Sequence, residues 1–226
     1  TTLELPVEDV YTGYEDREGG DFDYNDFGMD ATITETYEDE SLVRARMSFD
    51  SRFHAAGDSH AVHIERTLPG DVSYDYTVTR SAPAAGAETP AGSYSGSGTL
   101  DLVLFDSDNF AQGTTVGLTL RVTGGSVGPP TSSPRWDDAA DNALFGVYDP
   151  YLDDRTVGAE RHIEDTQPAT SPLPTPGDGY DVPYILVVPE TDFVPPGEGT
   201  PIDDVYAEFD EYYRTGDPQY ADWYDP

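Results

Sequence analysis

Between Ala31 and Val122 apolar side chains return at every second position, the period of a half-buried pleated strand and not that of a helix. Val43, Ala45, Met47 and Phe49 alternate with Arg44, Arg46 and Ser48. The same period runs through Val72, Tyr74, Tyr76 and Val78, through Leu100, Leu102 and Leu104, and through Val116, Leu118, Leu120 and Val122. Ala31 to Tyr37 and Ala61 to Arg66 are shorter runs of the same kind. Strands separated by turn-rich segments predict a mainly β fold, a two-sheet sandwich or jelly roll with long ordered loops.

The remaining segments read differently. Ser81 to Ser97, rich in Ala, Gly, Ser and Pro, is expected to be a long hairpin loop. Gly124 to Pro183 carries many Pro and Asp and is expected to be loop, with short strand pieces near Phe145–Tyr148 and Ala159–Ile163. Tyr184 to Val188 is a continuous apolar run, expected as a strand buried on both faces or at the centre of the core. One C-terminal helix is expected: Thr200 as cap, Pro201 in the first turn, a stripe of Ile202, Val205, Tyr206, Phe209 and Tyr213, and Gly216 as terminator. The chain of 226 residues can bury one core, so residues 12–226 are expected to form a single domain. Residues 1–11 then form an extension whose TTLELPV alternation suits either an edge strand of the same sheet or a strand donated to a neighbouring copy.

Charge narrows the setting. Formal net charge is -34, with 45 acidic side chains against 11 basic ones, and every basic residue is arginine. Such a surface suits molar salt, where the Debye length shrinks to about 3 Å and like-charge repulsion is largely screened. It disfavours DNA, RNA and anionic lipid, which require basic patches, so no nucleic acid is expected as a partner. There is no Cys, which excludes disulfides and thiolate metal sites. The apolar runs are too short to cross a bilayer as helices, so no membrane insertion is expected. The richness in Tyr, Thr and Gly and the start at Thr1 are those expected of a processed, exported protein from a high-salt organism.

Tyr14 to Asp30 reads YEDREGGDFDYNDFGMD and crowds oxygen-bearing side chains into one short stretch. Asp21, Asp23, Asn25 and Asp26 alternate in the manner that wraps hard oxygens around Ca²⁺, with Glu15 and Asp16 as additional ligands. The segment is not an EF-hand: its sixth position is Asp26 where Gly is needed, and its twelfth is Thr32 where a bidentate Glu belongs. A solvated acidic loop is the alternative.

YED followed by GDFDYNDF resembles the opening of the LruC domain family, found in secreted and surface-anchored proteins of bacteria and archaea. Later pieces resemble that family in the same order: FHAAGDSHAVHIE at Phe53–Glu65, LFDSDN at Leu104–Asn109, YDPYL at Tyr148–Leu152 and ERHIEDTQPA at Glu160–Ala169. VPYILVVPETDFVPP, IDDVYAEFDEYY and the closing DWY continue it. The resemblance spans roughly residues 12–226 and implies a secreted β-rich domain, often joined to adhesive or calcium-binding modules and without established catalysis. The extreme acidity here departs from the family pattern.

Asp106, Asp108 and Asn109 form a second oxygen cluster at a strand end, able to complete the first calcium site or hold its own ion. Asp137, Asp138, Asp141 and Asn142 form a third, and Asp149, Asp153 and Asp154 a weaker fourth; a solvated turn is the alternative for each. His60 and His63, three apart in a strand, are expected on opposite faces, which disfavours a shared transition metal, and His54 stands further off. HExxH, GxSxG and a phosphate-cradling Gly-Lys pair are all missing, and no enzyme is expected, although paired carboxylates of a glycosidase type are invisible to sequence spacing. The expected function is that of a calcium-stabilised structural subunit of a cell-surface filament or layer, polymerising with itself by strand addition. A monomeric calcium-dependent adhesin or glycan-binding module is the second expectation.

Overall fold

In a computed structural model, the structure describes residues 2–6, 10–14, 27–54, 60–81, 88–106, 112–129, 147–162, 165–168, 181–188, 193–197, 199–220 and 223–224. Among the described residues fourteen strands run β1 Thr2–Pro6, β2 Val10–Tyr14, β3 Phe27–Glu38, β4 Ser41–His54, β5 His60–Arg66, β6 Ser73–Arg80, β7 Gly92–Ser97, β8 Leu100–Asp106, β9 Thr115–Gly124, β10 Pro150–Asp154, β11 Ala159–Arg161, β12 Thr166–Pro168, β13 Asp181–Pro183 and β14 Ile185–Val188. The large antiparallel sheet has the order β14-β2-β3-β4-β9-β6-β7, with β1 also paired to β3. The smaller one has the order β11-β10-β5-β8, and β12 and β13 form a short ribbon. The expected two-sheet β architecture is present, and each alternating run noted above forms a strand.

Alternation decides which face is buried. Ile33, Ala45, Met47, Phe49, Leu118 and Leu120 of the large sheet meet Val62, Ile64, Leu100, Leu102, Leu104 and Leu152 of the small one in a single apolar cluster. At about 25 cal/mol per Å² of apolar area removed from water, this layer is the main driving term of the fold.

Inside that layer lies a charge. Glu35 of β3, with no exposed surface, accepts hydrogen bonds from the hydroxyls of Tyr37 and, at 2.6 Å, Tyr148. Arg66, at the end of β5 in the other sheet and 3% exposed, reaches the same carboxylate at 3.2 Å. The Arg66 guanidinium also lies 4.5 Å from the centre of the Tyr148 ring. Burial, with the Glu35 hydrogen bond and charge adding to it, pushes the Tyr37 hydroxyl well above its ordinary range, so it stays protonated and donates. The two sheets are thereby joined by one ion pair whose remaining acceptor positions are taken by phenols.

Arg80 makes a second inter-sheet tie. A bulge opposite Val62/His63 displaces β8, and Arg80, at the end of β6, donates to the carbonyls of Leu104 (2.7 Å) and Val103 (3.1 Å) there, and to Thr89 O at 3.0 Å. Carbonyls at the edge of a sheet are thus satisfied by a side chain.

Several expectations are corrected. Gly92–Ser97, expected within a loop, is strand β7 at the sheet edge. Its GSYSGS carries no apolar alternation because Gly96 makes room for the Tyr74 ring: a Cβ there would stand 2.8 Å from it. Val147 and Tyr148 are not strand; the strand follows them as β10. Residues 10–14, placed partly in the extension, are β2. The single helix is two, α1 Ile202–Val205 and α2 Phe209–Thr215. Pro201 stands at the cap position with no side-chain cap bond, so Thr200 does not cap, and Val205 is 51% exposed instead of lying in the stripe. The break at Tyr206 lets Tyr206 and Phe209 both turn onto Trp223, with ring centres 5.7 and 5.0 Å away. Gly216 ends α2 at φ 64, as expected.

β14 is buried on both sides, as expected, although it lies at the sheet edge: Ile185 joins the sandwich core, whereas Leu186 and Val188 join a second cluster with Phe193, Ile202, Phe209 and Trp223.

Arg66→Met is expected to strand the Glu35 charge and to lower unfolding free energy by about 3–5 kcal/mol in urea melts, with much of the loss recovered when Glu35→Gln is added. The β3–β4 hairpin turns through Asp39 (φ 48) and Glu40 (φ 65), the positive-φ pair of a type I′ turn. Glu40→Gly is accordingly expected to stabilise by about 0.5–1 kcal/mol in the same assay.

Candidate functional site

The proposed calcium ligands Glu15, Asp16, Asp21, Asp23, Asn25 and Asp26 lie outside the described residues, as do Asp108 and the cluster Asp137–Asn142. Their flanks are described. β2 and β3 pair as far as Tyr14↔Phe27, so residues 15–26 connect two strand ends that are held side by side. Phe27, directly after Asp26, packs its ring 5.4 Å from that of Phe105, directly before Asp106. The fold therefore brings the strand end carrying the second oxygen cluster to the base of the first, a proximity that sequence separation hides.

Asp106 itself is 8% exposed, and Arg155 approaches it at 3.3 Å. The same guanidinium holds Glu88 at 2.6 Å and Asp153 at 3.2 Å, and these partners push its proton affinity up further. Asp154 accepts the backbone N–H groups of Thr156 (2.9 Å) and Val157 (3.2 Å), forming the turn between β10 and β11. Asp149 pairs with His162. The fourth acidic cluster is thus engaged by protein groups, and among the described residues no group of three or more His, Asp or Glu is arranged to hold a metal ion.

The most chemically concentrated described site lies on the outer face of the small sheet. β5 and β10 pair His63 with Tyr151, which puts their rings on one face, stacked at 4.4 Å. His162, after β11, stacks on the other side of Tyr151 at 4.6 Å. His63 Nδ1, the Tyr151 hydroxyl and the Asp101 carboxylate meet within 2.8–3.2 Å, so Asp101 can accept from both. Burial, reinforced by Asp101 and by the Glu160 and Glu65 charges, pushes the Tyr151 phenol far above its usual range, leaving it a donor at neutral pH. His60 is 3% exposed on the core side of β5 and His63 is on the outer side, as the spacing predicts.

Sequence reading singled out His63 but not its companions. Tyr151, Asp101 and His162 stand 88, 38 and 99 positions from it, and only the strand register unites them. The outward alternation of β5 and β8 is the signal that could have placed His63 beside Asp101.

No family model, curated protein or solved structure matches the chain.

Burial alone would pull the His162 imidazole down; the hydrogen bonds to Asp149 and Glu160 and the Asp165 charge outweigh it, and the group is held above 6.5. A raised folded-state value means that its stabilisation is complete below about pH 6.5 and is lost as pH rises through the folded value. Thermal melts are expected to show a fall in Tm on that rise that His162→Gln removes; identical pH profiles for the two proteins would contradict it.

Proposed function

We propose that the chain is a non-catalytic building unit of an extracellular filament or layer, stiffened by calcium in the acidic connection between β2 and β3 and joined to its neighbours by strand addition. The observation that carries this reading is the closure of that connection at Tyr14↔Phe27. With the ends of the connection held side by side, Glu15, Asp16, Asp21, Asp23 and Asp26 belong to one short closed segment of sequence, where a cation offsets the repulsion between like charges and Asn25 adds a further hard oxygen. Asp106 and Asp108 follow Phe105, which packs beside that base.

The order of LruC-like motifs supports a secreted surface role, and the arginine-only, strongly acidic composition supports work in molar salt.

Strand addition draws on β1. In the single chain β1 pairs with β3 from Thr2↔Glu38 to Pro6↔Thr34, the in-chain half of the alternative that the sequence left open. Among the described elements nothing pairs with its other edge, and β14 extends only along β2. Such an edge is a template for a neighbouring strand, and a short terminal strand is also the easiest element to exchange between copies. The adhesin reading is less well supported: among residues with described side chains no aromatic ring stands exposed, and the exposed large apolar side chains are Val157, Val194 and Val205.

Calcium added to chelator-treated protein in molar NaCl is expected to raise Tm, with a gain of about 2.7 kcal/mol at a hundredfold excess over Kd, and Asp21→Asn with Asp23→Asn is expected to abolish the gain. Absence of both heat in calorimetry and a Tm shift would remove the calcium reading. Deletion of residues 1–8 is expected to abolish filaments or sheets in negative-stain images; unchanged assembly would remove strand addition.

A further inference from the structure

Most of the described arginines are occupied. Arg52 pairs with Asp30, Arg66 with Glu35, Arg155 with Glu88, Asp106 and Asp153, and Arg214 with Asp210 and Glu211. Arg80 takes carbonyls and Arg161 stacks on Tyr184. The rest, Arg44, Arg46 and Arg121, have no ion-pair partner among the described residues, and they lie together. β4 and β9 pair Arg44 directly with Arg121, and Arg46 follows two positions along the same face.

That face is the outer one of the large sheet, since the alternate residues Ala45, Met47 and Leu120 point into the core. Arg46 and Arg121 are exposed. The row through Arg46 continues with Thr119, Thr77 and Ser93, all short and hydroxyl-bearing, while in the next row Arg121 has exposed Asp75 of β6 as its cross-strand neighbour, without an ion pair between the two.

Two like charges directly opposite in an antiparallel pair cost stability. In a chain with 45 acids and 11 arginines, gathering the unengaged cations at one spot makes sense when an anion covers them.

The other outer face of the sandwich mirrors this arrangement with the opposite sign. β5 and β8 pair Glu65 directly with Asp101, again two like charges facing each other. Both point away from the core, because Ile64, Arg66, Leu100 and Leu102 point into it. No arginine pairs with either among the described residues, and exposed Glu160 of β11 belongs to the same sheet. Both like-charged pairs are directly opposed cross-strand neighbours, so on each face the two side chains leave the backbone at Cβ positions about 5 Å apart.

We infer that copies of this chain stack face to face, the Arg44–Arg46–Arg121 face of one against the Glu65–Asp101 face of the next. The contact joins two different surfaces, so it does not close on itself in a dimer and propagates as a linear stack. It rests on the reading of the chain as a building unit and adds a second direction of contact to the strand edge at β1. High salt favours it: screening over about 3 Å removes the long-range repulsion between two acidic copies, while guanidinium–carboxylate hydrogen bonds act within contact distance.

Sedimentation velocity of the full chain in molar NaCl with calcium tests this. Wild type is expected to form assemblies, and the triple variant Arg44→Glu, Arg46→Glu, Arg121→Glu to require at least about tenfold higher concentration to do so. Glu65→Arg with Asp101→Arg is expected to behave likewise. An equimolar mixture of the two variants is expected to restore assembly, because each then offers the sign the other lacks; misfolded variants would not complement in this way. If wild type assembles and the triple variant assembles at the same concentration, or the mixture stays as dispersed as its components, the face contact is overturned while the building-unit reading stands. A wild type that stays monomeric overturns both.

Discussion

A carboxylate with no exposed surface sits between the two sheets of this sandwich, and its neighbours explain why the sheets meet where they do. Glu35 alternates with Ile33 and Tyr37 on the inward face of β3 and would be costly there alone. Arg66 supplies the opposite charge from the other sheet, and Tyr37 and Tyr148 supply hydroxyls to the oxygens. Such a pair adds little net stability over an apolar substitute, but it is intolerant of misplacement. A shift of one residue in β3 or β5 would turn one partner to solvent and leave the other buried and unpaired. The cluster therefore sets the register between the sheets, and with it which residues reach the two outer faces.

From that register follows the distribution of charge. Arginine is scarce here, and its uses are distinct: one inside the core, one holding edge carbonyls of β8, one gathering Glu88, Asp106 and Asp153, and a group of three left on an outer face. The acids of the small sheet's outer face surround a stack of two imidazoles and a phenol. Each outer face carries a like-charged cross-strand pair, positive between β4 and β9 in the middle of the large sheet and negative between β5 and the edge strand β8 of the small one. The β2–β3 connection concentrates further negative charge beside Phe27 and Phe105, at one end of the core layer.

How much of this could be read from the chain depends on the kind of signal. Strands with one apolar face announce themselves, and β3, β4, β5, β6, β8 and β9 all follow from alternation. Among the short strands, β1, β11 and β14 could be read from local pattern, but others could not. β7 is Gly and Ser around one tyrosine, β10 begins with Pro150, and β2 reads VYTGY with a glycine inside it. Their pairing is supplied by neighbours instead of by their own composition. The helical stripe was legible in Ile202, Tyr206 and Phe209, but the break after Val205 was not, because it depends on where Trp223 sits. The acidic connection was conspicuous as a string of oxygens, whereas the approach of Asp106 to its base required the contact of Phe27 with Phe105.

The sequence by itself determined the β class, the outward and inward faces of each long strand, and a surface chemistry dominated by carboxylate, since these depend only on period and composition. Tertiary structure alone decided which outward residues become neighbours. Arg44 meets Arg121, Glu65 meets Asp101, and Glu35 meets Arg66 through pairings between segments distant in the chain. Local pattern carries no information on strand order or register; those are settled when the two apolar faces close on each other and the buried charges find their partners.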